Sequence, residues 1–259
     1  MHDMLETYAY SGRLSEVSAS LKLLVVLGSV LICVSSPGPL APMLIGITLA
    51  GSVVAWSRVP AGVFIRILLI PLSFALLSAI VVMLMGGTGE TLFSFSLAGH
   101  GVAVRKGGAD LGLLLLSRTF GGTCSMLFLA LTTPMMEVFS ILAACKMPQG
   151  LVELSMLIYR YIFVLLEEAS LIHSAQNMRL GYAGLAGAIR SFSILGSVLF
   201  LRSWEKGEAL ITTMDARCYS GRLALATTMP ISGPGLAAAL AYLLVMASVA
   251  WLGRDVTLI

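Results

Sequence analysis

The chain has 259 residues, of which 58% are hydrophobic and 11% are charged, and its mean hydropathy is +0.96. Soluble domains have about 45–50% apolar and about 25% charged residues, so this composition excludes an ordinary soluble protein. A net charge of +3 is too small to indicate a nucleic-acid-binding surface, and the long apolar runs predict a helical, multi-pass membrane protein.

Five apolar segments are long enough to cross about 30 Å of hydrocarbon as helices. Four lie in an N-terminal membrane region, residues 1–133, and the fifth lies in a C-terminal span region, residues 235–259. The predicted spans are Leu21–Ser36, Leu40–Trp56, Gly62–Met85, Leu111–Thr133 and Gly235–Leu252. Pro71 predicts a kink in the third span. Because these five segments contain no acidic residue, proton-coupled transport is not expected.

Two features interrupt the apolar pattern of the N-terminal region. Residues 86–110 begin with glycines and continue with apolar and polar residues in alternation, which predicts an exposed loop with a short strand-like piece. Arg118 lies inside the fourth span, where insertion of a charge costs about 2.5–3.5 kcal/mol. We therefore expect Arg118 to have a partner, to reach the membrane surface, or to face a second subunit.

Residues 134–234 hold half of the sixteen basic residues and predict a region of cytosolic coupling helices. The predicted helices are Met135–Lys146, Gln149–Arg179 and Ser191–Arg217. In the first long helix Glu153, Arg160 and Glu167 recur every seven residues among apolar positions, which is typical of an amphipathic helix. Glu167 and Glu168 are interpreted as part of its solvated face.

The distribution of basic residues predicts the orientation in the membrane. If residues 134–234 are cytosolic, the predicted spans place the N-terminus on the cytosolic side as well. The basic residues then inside are Arg13, Lys22 and Arg58, and those outside are Arg105, Lys106 and Arg254. The positive-inside rule favours this arrangement and therefore a cytosolic N-terminus.

The residues that usually carry catalysis or bind metals form no recognisable motif. A phosphate-binding loop of the Gly-x-x-x-x-Gly-Lys-Ser/Thr type is absent, so nucleotide binding by that loop is excluded. The three histidines and four cysteines lie far apart, without the spacing of a metal site. The fourteen methionines are interpreted as apolar packing. We expect no enzymatic activity, no cofactor and no metal site.

A similar sequence recurs at the C-terminal ends of the two long helices. The two copies are Asn177–Gly184 (Asn-Met-Arg-Leu-Gly-Tyr-Ala-Gly) and Asp215–Arg222 (Asp-Ala-Arg-Cys-Tyr-Ser-Gly-Arg). At a helix end, Arg complements the dipole and Gly can supply the C-cap. A guanidinium flanked by apolar side chains is also suited to a pocket that contains carboxylates. Two copies in a chain without a nucleotide site predict a transmission part driven by two related ATPases.

These motifs, with Leu-Thr-Thr-Pro at 131–134 and Tyr-Arg-Tyr-Ile-Phe at 159–163, resemble the T component of energy-coupling factor (ECF) transporters. They resemble its cobalt branch, the CbiQ family, more closely. The resemblance covers most of the chain, from the third span to the second arginine motif. The resemblance implies a coupling subunit of an ATP-driven cobalt importer in the inner membrane of a bacterium. The implied partners are two ABC-type ATPases, a substrate-capture membrane subunit, a small accessory membrane subunit and lipid, without nucleic acid.

The resemblance also implies which residues contact the ATPases. They form two triplets, Met178, Arg179 and Leu180, and Ala216, Arg217 and Cys218. The family triplet is often Ala-Arg-Gly, so the third residue of each triplet is bulkier here. The cargo stays open between cobalt, nickel and a vitamin. A membrane scaffold without an energetic role is the alternative, whereas a standalone channel or carrier would need polar residues in several spans.

Overall fold

The computed structural model describes residues 17–56, 60–85, 91–97, 100–219 and 232–253, with the backbone alone for residues 85, 91–97 and 100–106. Within these ranges the chain forms eight helices and a two-stranded antiparallel hairpin. They are α1 Ala19–Ser35, α2 Leu40–Trp56, α3 Ala61–Met85, β1 Thr91–Leu97, β2 His100–Arg105, α4 Lys106–Thr132, α5 Met135–Ala144, α6 Gln149–Met178, α7 Leu185–Ala216 and α8 Gly233–Leu252. The predicted class, a helical membrane protein, is confirmed, and the hairpin lies where a strand-like piece was predicted.

The described residues divide into two compact units, with the boundary between Val138 and Phe139 inside α5. The first unit contains α1–α4, the hairpin and α8, and the second contains α6 and α7. In the first unit α4 is central, since it packs against α1, α2 and α3, and α8 packs against α1 and α2. Its core combines buried apolar side chains of five helices: Val26, Cys33, Ile45, Leu49, Val53, Phe64, Cys124, Phe128, Leu131 and Met246.

Glycines allow α2 and α4 to approach closely. A Cβ atom built on Gly121 would lie 2.5 Å from the Pro42 carbonyl oxygen of α2 and 2.8 Å from Cys33 Sγ of α1. On the facing helix, a Cβ on Gly46 would lie 2.4 Å from the ring of Phe120. Small residues at such crossings let membrane helices gain close van der Waals contact, which replaces the hydrophobic driving force that lipid does not supply.

Two basic side chains inside the first unit donate to carbonyl groups at helix C-termini. Arg118 Nη2 of α4 donates to the Ser36 carbonyl at the end of α1, at 2.7 Å. Lys22 Nζ of α1, whose residue is 3% exposed, donates to the Thr132 carbonyl at the end of α4, at 2.8 Å. Because the last carbonyls of a helix carry partial negative charge, each helix stabilises a cation on the other. Arg118 therefore has the partner that its position requires.

Five of the described helices are long and apolar enough to span a membrane, and they are only partly the five predicted. They are α3, α4, α6, α7 and α8, whereas α1 and α2 have 17 residues each and are shorter. The helix α4 also begins at Lys106 instead of Leu111, so Asp110 lies inside it. The helix that contains the fourth predicted span is therefore longer than that span and includes an acidic residue.

The helices α6 and α7 form an antiparallel pair joined by polar contacts at three levels. Glu153 near the start of α6 accepts a hydrogen bond from Tyr219, just beyond α7. Glu168 in the middle of α6 pairs with Lys206 of α7, at 2.6 Å between Oε1 and Nζ. Near the turn, Gln176 Nε2 donates to the Ser191 carbonyl at 3.1 Å. Polar groups thus lie in the seam between the two helices.

The predicted solvated face, Glu167 and Glu168, is exposed only in part. Glu153 is 6% exposed, and Glu168 is half-buried in its ion pair, whereas Arg160 and Glu167 are exposed. Large apolar side chains instead lie exposed along α6 at a spacing of three or four residues: Leu151, Leu154, Ile158, Ile162 and Leu166. Since α7 also exposes large apolar side chains, Phe192, Phe200 and Trp204 among them, the pair presents apolar surface outward.

Candidate functional site

Both arginine triplets fold into the same helix-ending structure. Arg179 and Arg217 are the C-cap residues of α6 and α7, with φ and ψ of −96° and 18° in one and −96° and 17° in the other. The residues that follow them, Leu180 and Cys218, have φ of 56° and 55°. The sequence repeat is therefore also a repeat of backbone geometry.

The hydrogen bonds at the two ends correspond atom by atom to a Schellman motif. The amide of Gly181 donates to the Gln176 carbonyl at 2.9 Å, and that of Leu180 to the Asn177 carbonyl at 3.0 Å. At the second end Tyr219 donates to Met214 at 3.1 Å and Cys218 to Asp215 at 3.0 Å. These bonds satisfy carbonyls that a helix end leaves without partners, so both ends are ordered without a glycine cap.

The left-handed residue at each described helix end is therefore not a glycine. The left-handed position is occupied by Leu180 in the first copy and by Cys218 in the second, and Gly181 follows it by one residue. The second glycine of the repeat, Gly221, lies outside the described residues, as does Arg222. In an L-residue this conformation is strained, whereas glycine adopts it readily. The third triplet position thus has a physical preference for glycine.

All six triplet residues are exposed, with apolar side chains around the first arginine. Met178 is 82% exposed and Leu180 is 78% exposed, and Arg179 lies between them. In the second triplet Ala216, Arg217 and Cys218 are also exposed. Arginine beside fully accessible apolar side chains is the combination that is enriched where proteins bind tightly to one another.

The first triplet is held against the start of α7 by side chains around Gly181. Ser191 Oγ donates to the Gly181 carbonyl at 2.7 Å, and the Tyr182 hydroxyl donates to Gln176 Oε1 at 2.8 Å. The ring of Tyr182 also lies 4.5 Å from that of His173. A Cβ on Gly181 would come within 2.7 Å of Ser191 Oγ, so this contact requires a glycine.

A long-range contact holds the second triplet against the start of α6. The Tyr219 hydroxyl donates to Oε2 of the buried Glu153 carboxylate, 66 residues away in the chain. This hydrogen bond is the largest cause that raises the pKa of the Tyr219 phenol above its ordinary value of 10. Burial and the nearby negative charge act in the same direction, because all three disfavour the phenolate.

The structure does not bring the two triplets together. Glu153 and Tyr219 meet at one end of the antiparallel pair, whereas Arg179 lies at the other end of α6. At about 1.5 Å per residue, the helix between Glu153 and Arg179 separates the two arginines by about 39 Å. The geometry provides two separate contact points of the same form.

Metal-binding side chains do not cluster in the part of the chain that the structure describes. Within residues 17–56, 60–85, 91–97, 100–219 and 232–253, no group of three or more His, Cys, Asp or Glu residues could hold a metal ion. Two of the four cysteines, Cys33 and Cys124, are buried, and Cys145 and Cys218 are exposed.

Comparison with known proteins assigns the family. The family model of CbiQ, described as cobalt transport protein, matches residues 11–229. The chain belongs to the CbiQ family. CbiQ proteins are membrane components of cobalt transport, so this chain is a multi-pass membrane protein of a transporter.

Relatives of this CbiQ chain cover most of its length. A putative fused cobalt transport protein, CbiMQ, of Methanocorpusculum labreanum is 44% identical over 86% of the chain, which spans only 37% of that fused protein. An uncharacterised protein of Methanocaldococcus jannaschii is 40% identical over 88% of the chain and 85% of its own length. The cobalt transport protein CbiQ of Rhodobacter capsulatus is 27% identical over 89% of the chain and 90% of its own length.

Sequence reasoning missed the side chains that hold the two triplets in place. From the sequence, Ser191 is only the start of a predicted helix and Glu153 only one of three charged residues at seven-residue intervals, although both side chains are buried. The regular spacing of Glu153 with Arg160 and Glu167 does not indicate that the Glu153 carboxylate faces α7. The recurrence of tyrosine after each arginine was the available signal, and each tyrosine does anchor its helix end.

Proposed function

We propose that this CbiQ protein is the coupling subunit of an ECF-type, ATP-driven cobalt importer. In this role it transmits motion from two ABC-type ATPases to a separate membrane subunit that captures the substrate. ATP hydrolysis takes place in the ATPases. The two triplets, Met178–Leu180 and Ala216–Cys218, are the contacts with the ATPases.

The observation that supports this proposal is the duplicated helix end. Arg179 and Arg217 occupy the same C-cap position, in the same hydrogen-bonded motif, and both are exposed. Helix-dipole compensation would explain an arginine at either end by about 0.3–1 kcal/mol. It does not explain exposed Met178 and Leu180 beside it, which would be covered in a docked complex. Two equal contact points suit two related ATPase subunits.

The charge pattern and the relatives support the arrangement of the partners. ATP is cytosolic, so we place both triplets and the N-terminus on the cytosolic side of the cytoplasmic membrane. The name of the fused relative joins CbiM to CbiQ, which supports a stable partner for this chain. We assign the substrate-capture subunit, with a small accessory membrane subunit, to that role, and the exposed apolar faces of α6 and α7 to contacts with it and with lipid.

The antiparallel helix pair suits mechanical transmission. Each triplet lies at the end of a helix of 30 or 32 residues, about 45 Å long. The polar contacts at three levels make the two helices resist sliding past one another. When ATP binding closes the ATPase pair, the docked arginines move relative to each other. The helices then convert this displacement into a change of tilt beneath the substrate-capture subunit.

Charge reversal at the two arginines tests this function. We expect Arg179→Glu and Arg217→Glu each to weaken co-purification with the ATPases, and the double variant to abolish it together with ATP-dependent uptake of radioactive cobalt. Arg190→Glu is the matched control, because Arg190 is an exposed arginine of α7 outside both triplets. If the double variant still co-purifies with the ATPases and still supports ATP-dependent cobalt uptake, the proposed coupling role is wrong.

The same preparation separates the alternatives. Uptake assays with nickel or a labelled vitamin in place of cobalt identify the cargo, since the coupling role does not depend on it. A membrane scaffold would hold the partners together without altering them. It would therefore leave the ATPase rate of the reconstituted complex equal to that of the ATPases alone.

A further inference from the structure

Among the described residues, the second arginine end makes a long-range contact with the facing helix. At the first end, Ser191 and Gln176 join the backbone across the short turn between α6 and α7. At the second end, Tyr219 donates to Glu153 on the facing helix. The two ends are therefore held by different means, although their backbones are alike.

The Glu153 carboxylate, which accepts the hydrogen bond from Tyr219, is buried. It is 6% exposed, although carboxylates are rarely buried unless hydrogen bonds or cations stabilise them. Tyr219 is two residues beyond Arg217, and its amide also closes the Schellman motif by donating to the Met214 carbonyl at 3.1 Å. One residue thus fixes both the backbone turn at Arg217 and the position of that turn against α6.

We propose that Tyr219 and Glu153 are positioning residues that fix the direction in which the Arg217 end points. This inference rests on the proposed function, because it assigns their effect to contact with an ATPase. With the hydrogen bond in place, motion of the Arg217 end is transferred to the start of α6. Without this hydrogen bond, the last turn of α7 can move independently of α6. Closure of the ATPases then displaces that turn without moving the start of α6. Neither residue itself contacts the ATPase.

A spin label on the native Cys218 measures the anchor directly. Cys145→Ser removes the other exposed thiol, and Cys33 and Cys124 are buried. In the full-length protein in lipid nanodiscs, we expect Tyr219→Phe to increase the mobility of the label, and Glu153→Gln, which keeps an acceptor oxygen, to increase it less. Tyr161→Phe makes the same chemical change on α6 outside this contact and is the control.

A second label position distinguishes local release from general unfolding. The label is placed at the first end by Leu180→Cys, with Cys145 and Cys218 replaced by serine. Tyr219→Phe should leave its mobility unchanged. In the reconstituted, unlabelled transporter, Tyr219→Phe alone should lower the amount of cobalt taken up per ATP hydrolysed several-fold.

The outcomes separate this inference from the proposed function. Unchanged mobility at Cys218 in Tyr219→Phe overturns the positioning role, and so does equal loosening at both ends. Increased mobility with undiminished uptake per ATP also overturns it. The proposed function fails in a different measurement, namely if the unsubstituted protein neither binds the ATPases nor supports ATP-dependent uptake.

Discussion

The crossing of α2 and α4 provides a sharp test of packing in the first unit, because two adjacent glycines differ in their surroundings. A Cβ on Gly121 would lie 2.5 Å from the Pro42 carbonyl oxygen, whereas a Cβ on Gly122 would have nothing within 4 Å. Ordinary contact begins at 3.4 Å, so Gly121→Ala requires α2 to recede by about 0.9 Å. Backbone cannot yield as a flexible side chain can.

The structure sets the size and sign of both effects. Overpacking of this kind costs about 1–3 kcal/mol. For a chain of this size each kcal/mol lowers the melting temperature by about 2–4 °C, so we expect Gly121→Ala to lower it by roughly 2–12 °C. Gly122→Ala should instead be neutral or stabilising by about 0.5–1 kcal/mol, because alanine restricts the unfolded chain and favours the helix.

The buried thiols supply the assay. Cys33 and Cys124 lie in the core at this crossing, so a thiol-reactive fluorogenic dye reports their exposure as the protein unfolds on heating. The exposed Cys145 and Cys218 react at once and set the baseline. Equal melting temperatures for Gly121→Ala and the unsubstituted protein, or a larger loss for Gly122→Ala, would refute the close approach of α2 and α4.

Three further predictions concern single contacts. Leu180→Gly should slow amide hydrogen exchange at Gly181 by roughly two- to fivefold, since relief of a left-handed leucine, about 1–2 kcal/mol, exceeds the added flexibility of glycine, about 0.5–1 kcal/mol; faster exchange would contradict the assigned cap. Lys22→Met should destabilise the first unit by about 1–3 kcal/mol in the same dye assay, because the Thr132 carbonyl loses its buried donor, and an unchanged melting temperature would show that the bond is dispensable. The pKa of Tyr219 is raised, so the stability from its bond to Glu153 is complete below pH 10 and is lost as pH rises through the raised value. The phenolate absorbance of the unsubstituted protein minus that of Tyr219→Phe should therefore show a phenol that ionises above pH 10, and ionisation at or below 10 would contradict the contact.

The pattern of apolar residues, and the prolines and glycines that end helices, predicted most helix bounds because both act over a few neighbouring residues. Leu40–Trp56 is exact, and Gln149–Arg179 differs from α6 by one residue. The two largest errors are starts predicted too late, at Leu111 for α4, which begins at Lys106, and at Ser191 for α7, which begins at Leu185. Each missed segment contains a glycine, Gly107 in α4 and Gly187 in α7. Packing and neighbouring helical residues outweigh a local cost of about 1 kcal/mol for a glycine.

The candidate site was predictable as a sequence repeat but not as a geometry. Leucine and cysteine both disfavour the left-handed conformation, so no local rule places Leu180 and Cys218 at that position. Contacts far along the chain support it, as the 66-residue interval between Glu153 and Tyr219 shows. Similarly, the charge pattern of α6 indicated its length but not that Glu153 faces α7 and Arg160 faces outward.

Site-specific cross-linking to the ATPases tests the coupling role most directly. A cysteine at the Leu180 position and the native Cys218 would each be joined by a short thiol cross-linker to single cysteines placed on the surface of each ATPase subunit. If the two triplets dock on the ATPases, each end should give one efficient cross-link, to a different ATPase subunit, with a yield that changes when ATP is added. Cross-links from only one end, or yields no higher than from the exposed Cys145 outside both triplets, would contradict it.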